Sequence, residues 1–448
     1  MSATTRIWWS LARHTHAETR LPTVLAVTAF AVTTWVVLTV AGGVQAFDAR
    51  AAAPGAGDEE GTYRFLSWIA VALLVVPTAT LGAAAARLTV ARRDERLARL
   101  RLAGATSGQI GAIALLDAGA QALAGVVAGI GLDLAALPLV ARLRFQDRVF
   151  DVAELRLGAG PVLAVAVSVL LVALVSSAVS LRRVAITPLG VAQRLPQKGL
   201  SWARVLPVLL LGGGFVLAFN ASSALFGVGA AFAVLVLVGF LAGAFAVFNL
   251  VGPLFVSVLG RVLGARARTV PTLLAARRMT EDPKSVWRSV GGISLVTFVA
   301  GCLSVTPGMT QGPEDVLMTD IGTGTTVTLV ICAVLAAVST GVTQASRVLD
   351  SRSRYRTLHL AGTDVAVLHA ARARETWVPL VVTMGGAAAL SLLIVSPVIG
   401  LLRTAPVGVL WFAGSAVGAA ALVLLAARAS RPLLQACATA APTGIPSR

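Results

Sequence analysis

Uncharged apolar stretches of membrane-crossing length recur along this chain, and that recurrence leaves few folds open to it. A helix crossing a hydrocarbon core needs about 20 consecutive apolar residues. Leu21–Phe47, Phe65–Ala86, Leu157–Leu181, Ser289–Pro313, Ile321–Ser346, Thr376–Leu402 and Thr404–Ala427 reach that length without one charge. Val205–Gly260 runs for 56 uncharged residues, too many for one crossing, and divides at Asn220-Ala-Ser-Ser223. Ile110–Val140 is interrupted only by Asp117 and Asp133. The pattern predicts an all-α polytopic membrane protein of about ten transmembrane helices, with no large extracytoplasmic domain. The first apolar run exceeds the 7–15 residues of a cleaved signal, so it reads as an uncleaved anchor despite Val44-Gln-Ala46, which resembles a cleavage site.

Charge decides orientation. Only 13% of the 448 residues are charged, too few to cover a soluble surface, and 37 basic residues face 20 acidic ones. The arginines sit between apolar runs rather than in a patch, which reads as positive-inside bias and not as nucleic-acid binding. With both termini cytoplasmic, only Arg50, Arg64, Arg142, Arg144, Arg148, Arg156 and Arg403 lie outside, leaving 30 of the 37 within. Asp58, Glu59, Glu60 and Asp320 count among the outer acidic residues, the first three as solvated loop charges. Trp287 and Trp377 read as anchors at the inner boundary, and Trp68 at the outer one. Arginine supplies 35 of the 37 basic residues, the usage of a GC-rich bacterial genome, so the expected location is a bacterial cell membrane.

An internal repeat stands at an offset of 258 residues. Arg96-Leu-Ala-Arg-Leu-Arg-Leu-Ala-Gly-Ala-Thr106 aligns with Arg354-Tyr-Arg-Thr-Leu-His-Leu-Ala-Gly-Thr-Asp364, and Asp117 falls on Glu375. Each copy lies between an inward-running and an outward-running helix, so the halves are parallel repeats. Arg92, Arg96 and Arg99 share one helical face, with Leu97, Leu100 and Ala103 on the other. Gly104 then ends the helix and a short polar turn leads back. The product is a stiff stalk ending in a compact turn, present twice.

These residues resemble the FtsX/MacB-like permeases of ABC transporters. Arg92 through Ile110 is similar to that family's stalk and coupling helix. Ser180-Leu-Arg-Arg-Val-Ala-Ile-Thr-Pro188 resembles the basic step ending its four-helix unit, and Leu274–Lys284 its amphipathic elbow. The implied order is an elbow over 1–20, a first four-helix unit over 21–194, and a two-helix insert with linker over 195–264. A second elbow over 265–288, a second unit over 289–434 and a tail over 435–448 follow. This 4+2+4 arrangement is similar to the ten-helix BceB-like permeases, in which one chain engages two copies of a separate ATP-binding subunit. The resemblance implies docking through Leu100, Arg101, Leu102, Gly104, Ala105, Thr106 and Gln109, and through Leu358, His359, Leu360, Gly362, Thr363 and Asp364. It places Arg92, Arg93, Glu95, Arg96 and Arg99 on the first stalk and Arg352, Arg354 and Arg356 on the second. The second copy departs at Ser353, which stands where the first has Glu95, and at Asp364-Val-Ala, which replaces Thr106-Ser-Gly.

No Gly-x-x-x-x-Gly-Lys-Ser/Thr loop occurs, so no P-loop nucleotide site is expected on this chain. The four histidines (His14, His16, His359 and His369) suggest neither a metal site nor a catalytic triad. The chain is therefore expected to carry no cofactor and no enzyme activity, with ATP and magnesium on the partner ATPase and membrane lipid around it. Cys302 and Cys332 read as buried small hydrophobes. Charges within a bilayer are candidate functional groups, and Asp117, Asp133 and Glu375 qualify. Asp117 is expected to pair with stalk arginines, and Asp133 to pair with Arg142 or reach water. Gly125-Val-Val-Ala-Gly129, Gly239-Phe-Leu-Ala-Gly243 and Gly414-Ser-Ala-Val-Gly418 are expected to let helices approach closely. Two further readings are an ion-driven secondary transporter working through Asp133 and a non-transporting, signal-transmitting scaffold.

Overall fold

The computed structural model describes residues 17–53, 58–91, 106–185, 230–303, 316–350, 362 and 364–395, with isolated helical positions 206, 210, 213, 214, 217, 414, 417, 418 and 421. Its helices are α1 (Ala17–Ala51), α2 (Asp58–Ala91), α3 (Ser107–Val140), α4 (Val152–Leu155), α5 (Ala159–Ala185), α6 (Ala230–Ala265), α7 (Val270–Glu281), α8 (Pro283–Leu303), α9 (Val316–Asp350) and α10 (Val365–Val395). A two-residue antiparallel hairpin, β1 (Arg144–Phe145) and β2 (Arg148–Val149), lies between α3 and α4.

Thr23–Ala51, Gly111–Val140, Ala159–Val179 and Val316–Ala345 are four helical segments, among the described residues, long and apolar enough to cross a membrane. Their outward faces agree with that medium. Val127 is 63% exposed and Leu139 69%, and Leu163, Leu171 and Val175 continue the apolar surface along α5. Water would penalise such a belt, whereas hydrocarbon does not. The protein is thus an all-α membrane protein in its described part. Pro77, Pro253 and Pro379 sit inside α2, α6 and α10, where neighbouring helices can satisfy the backbone groups a proline frees.

The helix bounds carry the sequence repeat into three dimensions. α3 begins at Ser107 and α10 at Val365, 258 residues apart, with the long helices α2 and α9 before them in corresponding places. In one half α1 packs on both α2 and α3, and in the other α8 packs on both α9 and α10. The halves meet where α2 lies against α9. Tyr63, near the start of α2, bonds to Asp320, near the start of α9, so the two helices run parallel. The core crosses this junction, joining Phe30, Val36, Leu74 and Leu81 to Val290, Leu335 and Leu380.

Glycine allows a close approach between α1 and α3. A Cβ on Gly125 would run into the Cβ of Phe30, and one on Gly129 would stand 2.6 Å from the carbonyl oxygen of Ala31. For the other two small-residue motifs, a Cβ on Gly239, Gly414 or Gly418 would meet nothing within 4 Å among the described residues. Trp287 also departs from expectation. It is buried over Gly252 and Gly291 between α6 and α8 rather than anchored at a boundary. A glycine on each facing helix opens a slot that only a large ring fills. Trp68 and Trp377 are about half exposed, as anchors should be. The triplet Asp58-Glu59-Glu60 lies in α2 instead of in a loop.

Candidate functional site

The repeated turns lie at one end of the bundle, and what is described of them is built alike. Thr106 is the N-cap of α3, and its hydroxyl accepts from the backbone N–H of Gln109 at 3.3 Å while Gln109 Oε1 accepts from Thr106 N at 3.0 Å. This is a reciprocal capping box. Asp364, 258 residues on, holds the start of α10 in the same way, its carboxylate accepting from Ala366 N at 3.0 Å. The departure from Thr106 to Asp364 in the second copy therefore exchanges one good cap for another. Gly362 adopts φ +88°, a left-handed conformation that suits only glycine well. Thr106, Gln109, Gly362 and Asp364 are all exposed. Leu100, Arg101, Leu102, Gly104, Ala105, Leu358, His359, Leu360 and Thr363 lie outside the described residues, as do Arg92, Arg93, Glu95, Arg96, Arg99, Arg352, Arg354 and Arg356.

Beside the second turn, a buried ion pair docks an amphipathic helix. The resemblance places an elbow over 265–288, and α7 lies there, its buried face formed by Ala275, Ala276 and Met279. Asp282 closes α7 and caps α8, accepting from Ser285 N at 3.1 Å. Arg278 on α7 reaches Glu375 on α10 at 3.2 Å, with the carboxylate only 3% exposed. Arg374, the preceding residue, donates to Thr269 Oγ1 at the start of α7, also at 3.2 Å. Glu375 thus acts as a clamp on α7. Glu375→Gln keeps a hydrogen-bonding group but leaves the Arg278 guanidinium against a neutral amide, so a stability loss of about 2 kcal/mol is expected. Thermal unfolding should register it, together with faster proteolysis at 266–269. An unchanged melting temperature would show that the pair does not hold the elbow.

Asp133 takes a different partner from the expected one. Thr39 on α1 donates to its Oδ1 at 2.9 Å, while Arg142 is exposed. A threonine one helix away needs no loop to swing inward, and the close α1–α3 contact already brings it there. The partners expected for Asp117, the stalk arginines, lie outside the described residues.

At the opposite end of the bundle, the hairpin and α4 close over the halves. Arg50, 4% exposed, pairs with Glu154 at 2.8 Å and donates to the carbonyls of Phe145 and Val149 and to Gln146 Oε1. Its guanidinium lies 4.2 Å over the Phe150 ring. Phe47 meets Tyr63, Phe145 and Phe150 at centroid distances of 5.5–6.0 Å. Asp320 Oδ2 accepts from the Tyr63 hydroxyl at 2.7 Å and from Gln146 N at 2.6 Å. Beneath this closure lies a cavity of about 210 Å³ between α1, α2, the hairpin and α9.

No protein-family model, curated protein or solved structure matches this chain.

Sequence reasoning missed Asp320 and Arg50 as functional groups because a topology count treats every charge between spans as solvated. One signal was available. Asp320 abuts the apolar run that begins at Ile321 and follows Val316-Leu-Met-Thr319, a position compatible with the interior of a helix.

Proposed function

We propose that the chain is the membrane-spanning subunit of an ABC transporter similar to the FtsX/MacB-like permeases. On this reading, ATP hydrolysis by two copies of a separate ATP-binding subunit is coupled to export or extraction of an amphipathic, peptide or lipid-like substrate. The observation that carries it is the pair of turns 258 residues apart, each capped by a side chain where a long helix begins. An ATPase dimer with two equivalent grooves needs two such projections in parallel orientation. Parallel packing of α2 on α9 supports the same reading, because closing two stalks at one end then acts on both halves alike.

The ten-helix, 4+2+4 arrangement in a bacterial membrane, with both termini cytoplasmic, belongs to this proposal. α5 runs from the hairpin end toward the turn end, where its Leu174 packs on Gly119 of α3. The later part of α6 packs beside α7 and the start of α8, Gly260 on Met279 and Gly252 on Trp287. Two further crossings, one between α5 and α6 and one over Thr404–Ala427, close the count of ten.

The test is a pull-down of the tagged full chain from its native membranes, with ATPase activity assayed on the product. A stoichiometric ATP-binding subunit is expected. Combining Gly104→Pro with Gly362→Pro should reduce its recovery by about an order of magnitude, since proline cannot adopt the positive φ of Gly362 and interface anchors carry such weights. A chain that purifies without an ATPase, and transports only on an ion gradient that Asp133→Asn abolishes, would replace this reading with a secondary transporter.

A further inference from the structure

The cavity at the hairpin end pairs a buried acid with apolar walls. Asp320 is 6% exposed and lines it, among Val40, Phe47, Leu74 and Ile331. Both hydrogen bonds that Asp320 accepts fall on Oδ2, and no cation pairs with it among the described residues. Arg50 does not line the cavity; it is committed to Glu154 and to the hairpin carbonyls. Among the described residues the space therefore presents a carboxylate without a counterion, and a buried charge is costly until it is matched.

Volume and continuity restrict the ligand further. At about 210 Å³ the cavity exceeds the roughly 150 Å³ that accepts a benzene ring, yet falls below the roughly 300 Å³ where drug-sized sites begin. Val40, Val44 and Leu74 also line a second cleft of about 530 Å³ between α1, α2 and α5. That cleft carries the half-exposed Trp68 and the exposed Val172 on the apolar belt of the molecule. A head group fits the first space and a chain fits the second.

We propose that these two spaces bind a single-chain cationic amphiphile, with its ammonium group on the Asp320 carboxylate and its chain in the cleft between α1, α2 and α5. An anionic amphiphile meets like charge there, and a neutral one leaves the carboxylate unmatched. The proposal names a substrate class for the permease reading, but its test does not depend on that reading because binding is measured on this chain alone.

The probes are dodecylammonium, dodecanol and dodecyl sulfate, titrated onto the purified full chain in phosphatidylcholine nanodiscs with empty nanodiscs as baseline. Dodecylammonium should bind saturably and about ten-fold tighter than dodecanol, the weight of one charge-assisted hydrogen bond. Asp320→Asn should remove that preference. Gly43 lines the cavity, and a Cβ there meets nothing within 4 Å among the described residues, so Gly43→Leu places a side chain in the cavity. It should weaken binding of both probes about ten-fold while leaving Asp320 and its partners in place. Equal affinity for the ammonium and the alcohol overturns the proposal, as does binding no stronger than to empty nanodiscs. Should Asp320→Asn fail to fold, undiminished affinity in Gly43→Leu overturns it equally.

Discussion

Gly125→Leu is expected to cost about 3 kcal/mol or more and to leave little monodisperse protein after detergent extraction. The added Cβ would collide with the Cβ of Phe30 and stand 3.0 Å from the carbonyl oxygen of Val27 and 3.2 Å from the backbone nitrogen of Ala31. Backbone cannot rotate away as a side-chain tip can, so α1 and α3 must separate. Phe30 is 1% exposed and belongs to the core that joins the halves, so the separation spreads beyond one helix pair. Gly131→Leu on the same helix supplies the contrast. Its Cβ would meet nothing within 4 Å, and the change should stay within about 0.5 kcal/mol. Size-exclusion profiles after a temperature ramp distinguish the two variants, and equal melting would show that the glycine seam does not set the helix spacing.

Arg50→Ala is expected to lose about 3 kcal/mol and to open the hairpin to protease. One side chain there satisfies a carboxylate, two backbone carbonyls and a glutamine side chain, and covers a phenyl ring. It also holds a strained turn, since Gln146 and Asp147 adopt φ of 58° and 56° without being glycine. Such residues persist only where their surroundings over-determine them. Cleavage near 146–147 should therefore accelerate by about two orders of magnitude, which is that energy expressed as an opening equilibrium. Arg50→Lys should recover only part of the loss, because an ammonium cannot reproduce the planar fork. Glu154→Gln should be milder, as Glu154 is about one-third exposed and water can replace part of its pairing. An Arg50→Ala protein that resists protease like the parent would sink this account.

The repeat was the most legible feature of the chain. Leucine and glycine matches around Leu102 and Leu360 set the 258-residue offset, and the starts of α3 and α10 fall on it. Membrane character was legible for the same physical reason, since length without charge is what hydrocarbon selects. Contacts between charged groups were not. Glu375 reads as a boundary acid, yet its partner Arg278 is almost a hundred residues away, and nothing local to either marks the pair. Asp133 posed a similar problem, because the nearby Arg142 was visible in the sequence while Thr39 comes near only through the α1–α3 seam. The hairpin was hidden for a different reason. Its turn uses Gln146-Asp147 where a turn of that hand favours Asn-Gly, and the contacts that stabilise it come from α1 and α9.

The parallel pair α2 and α9 has a mechanical consequence. At 1.5 Å per residue, helices of 34 and 35 residues are about 50 Å long, against a hydrocarbon core of about 30 Å. Their starts are joined by the 2.7 Å bond between Tyr63 and Asp320. That junction can serve as a fulcrum with two long arms. A rotation of about 5° about it would carry the far ends through about 4 Å, and the level of Ser67 and Gly324, only a few residues away, through well under 1 Å. Displacement is reduced toward the cavity and force is multiplied by the inverse ratio. A push of modest strength at the turn end would thus arrive at the cavity as a small, strong squeeze.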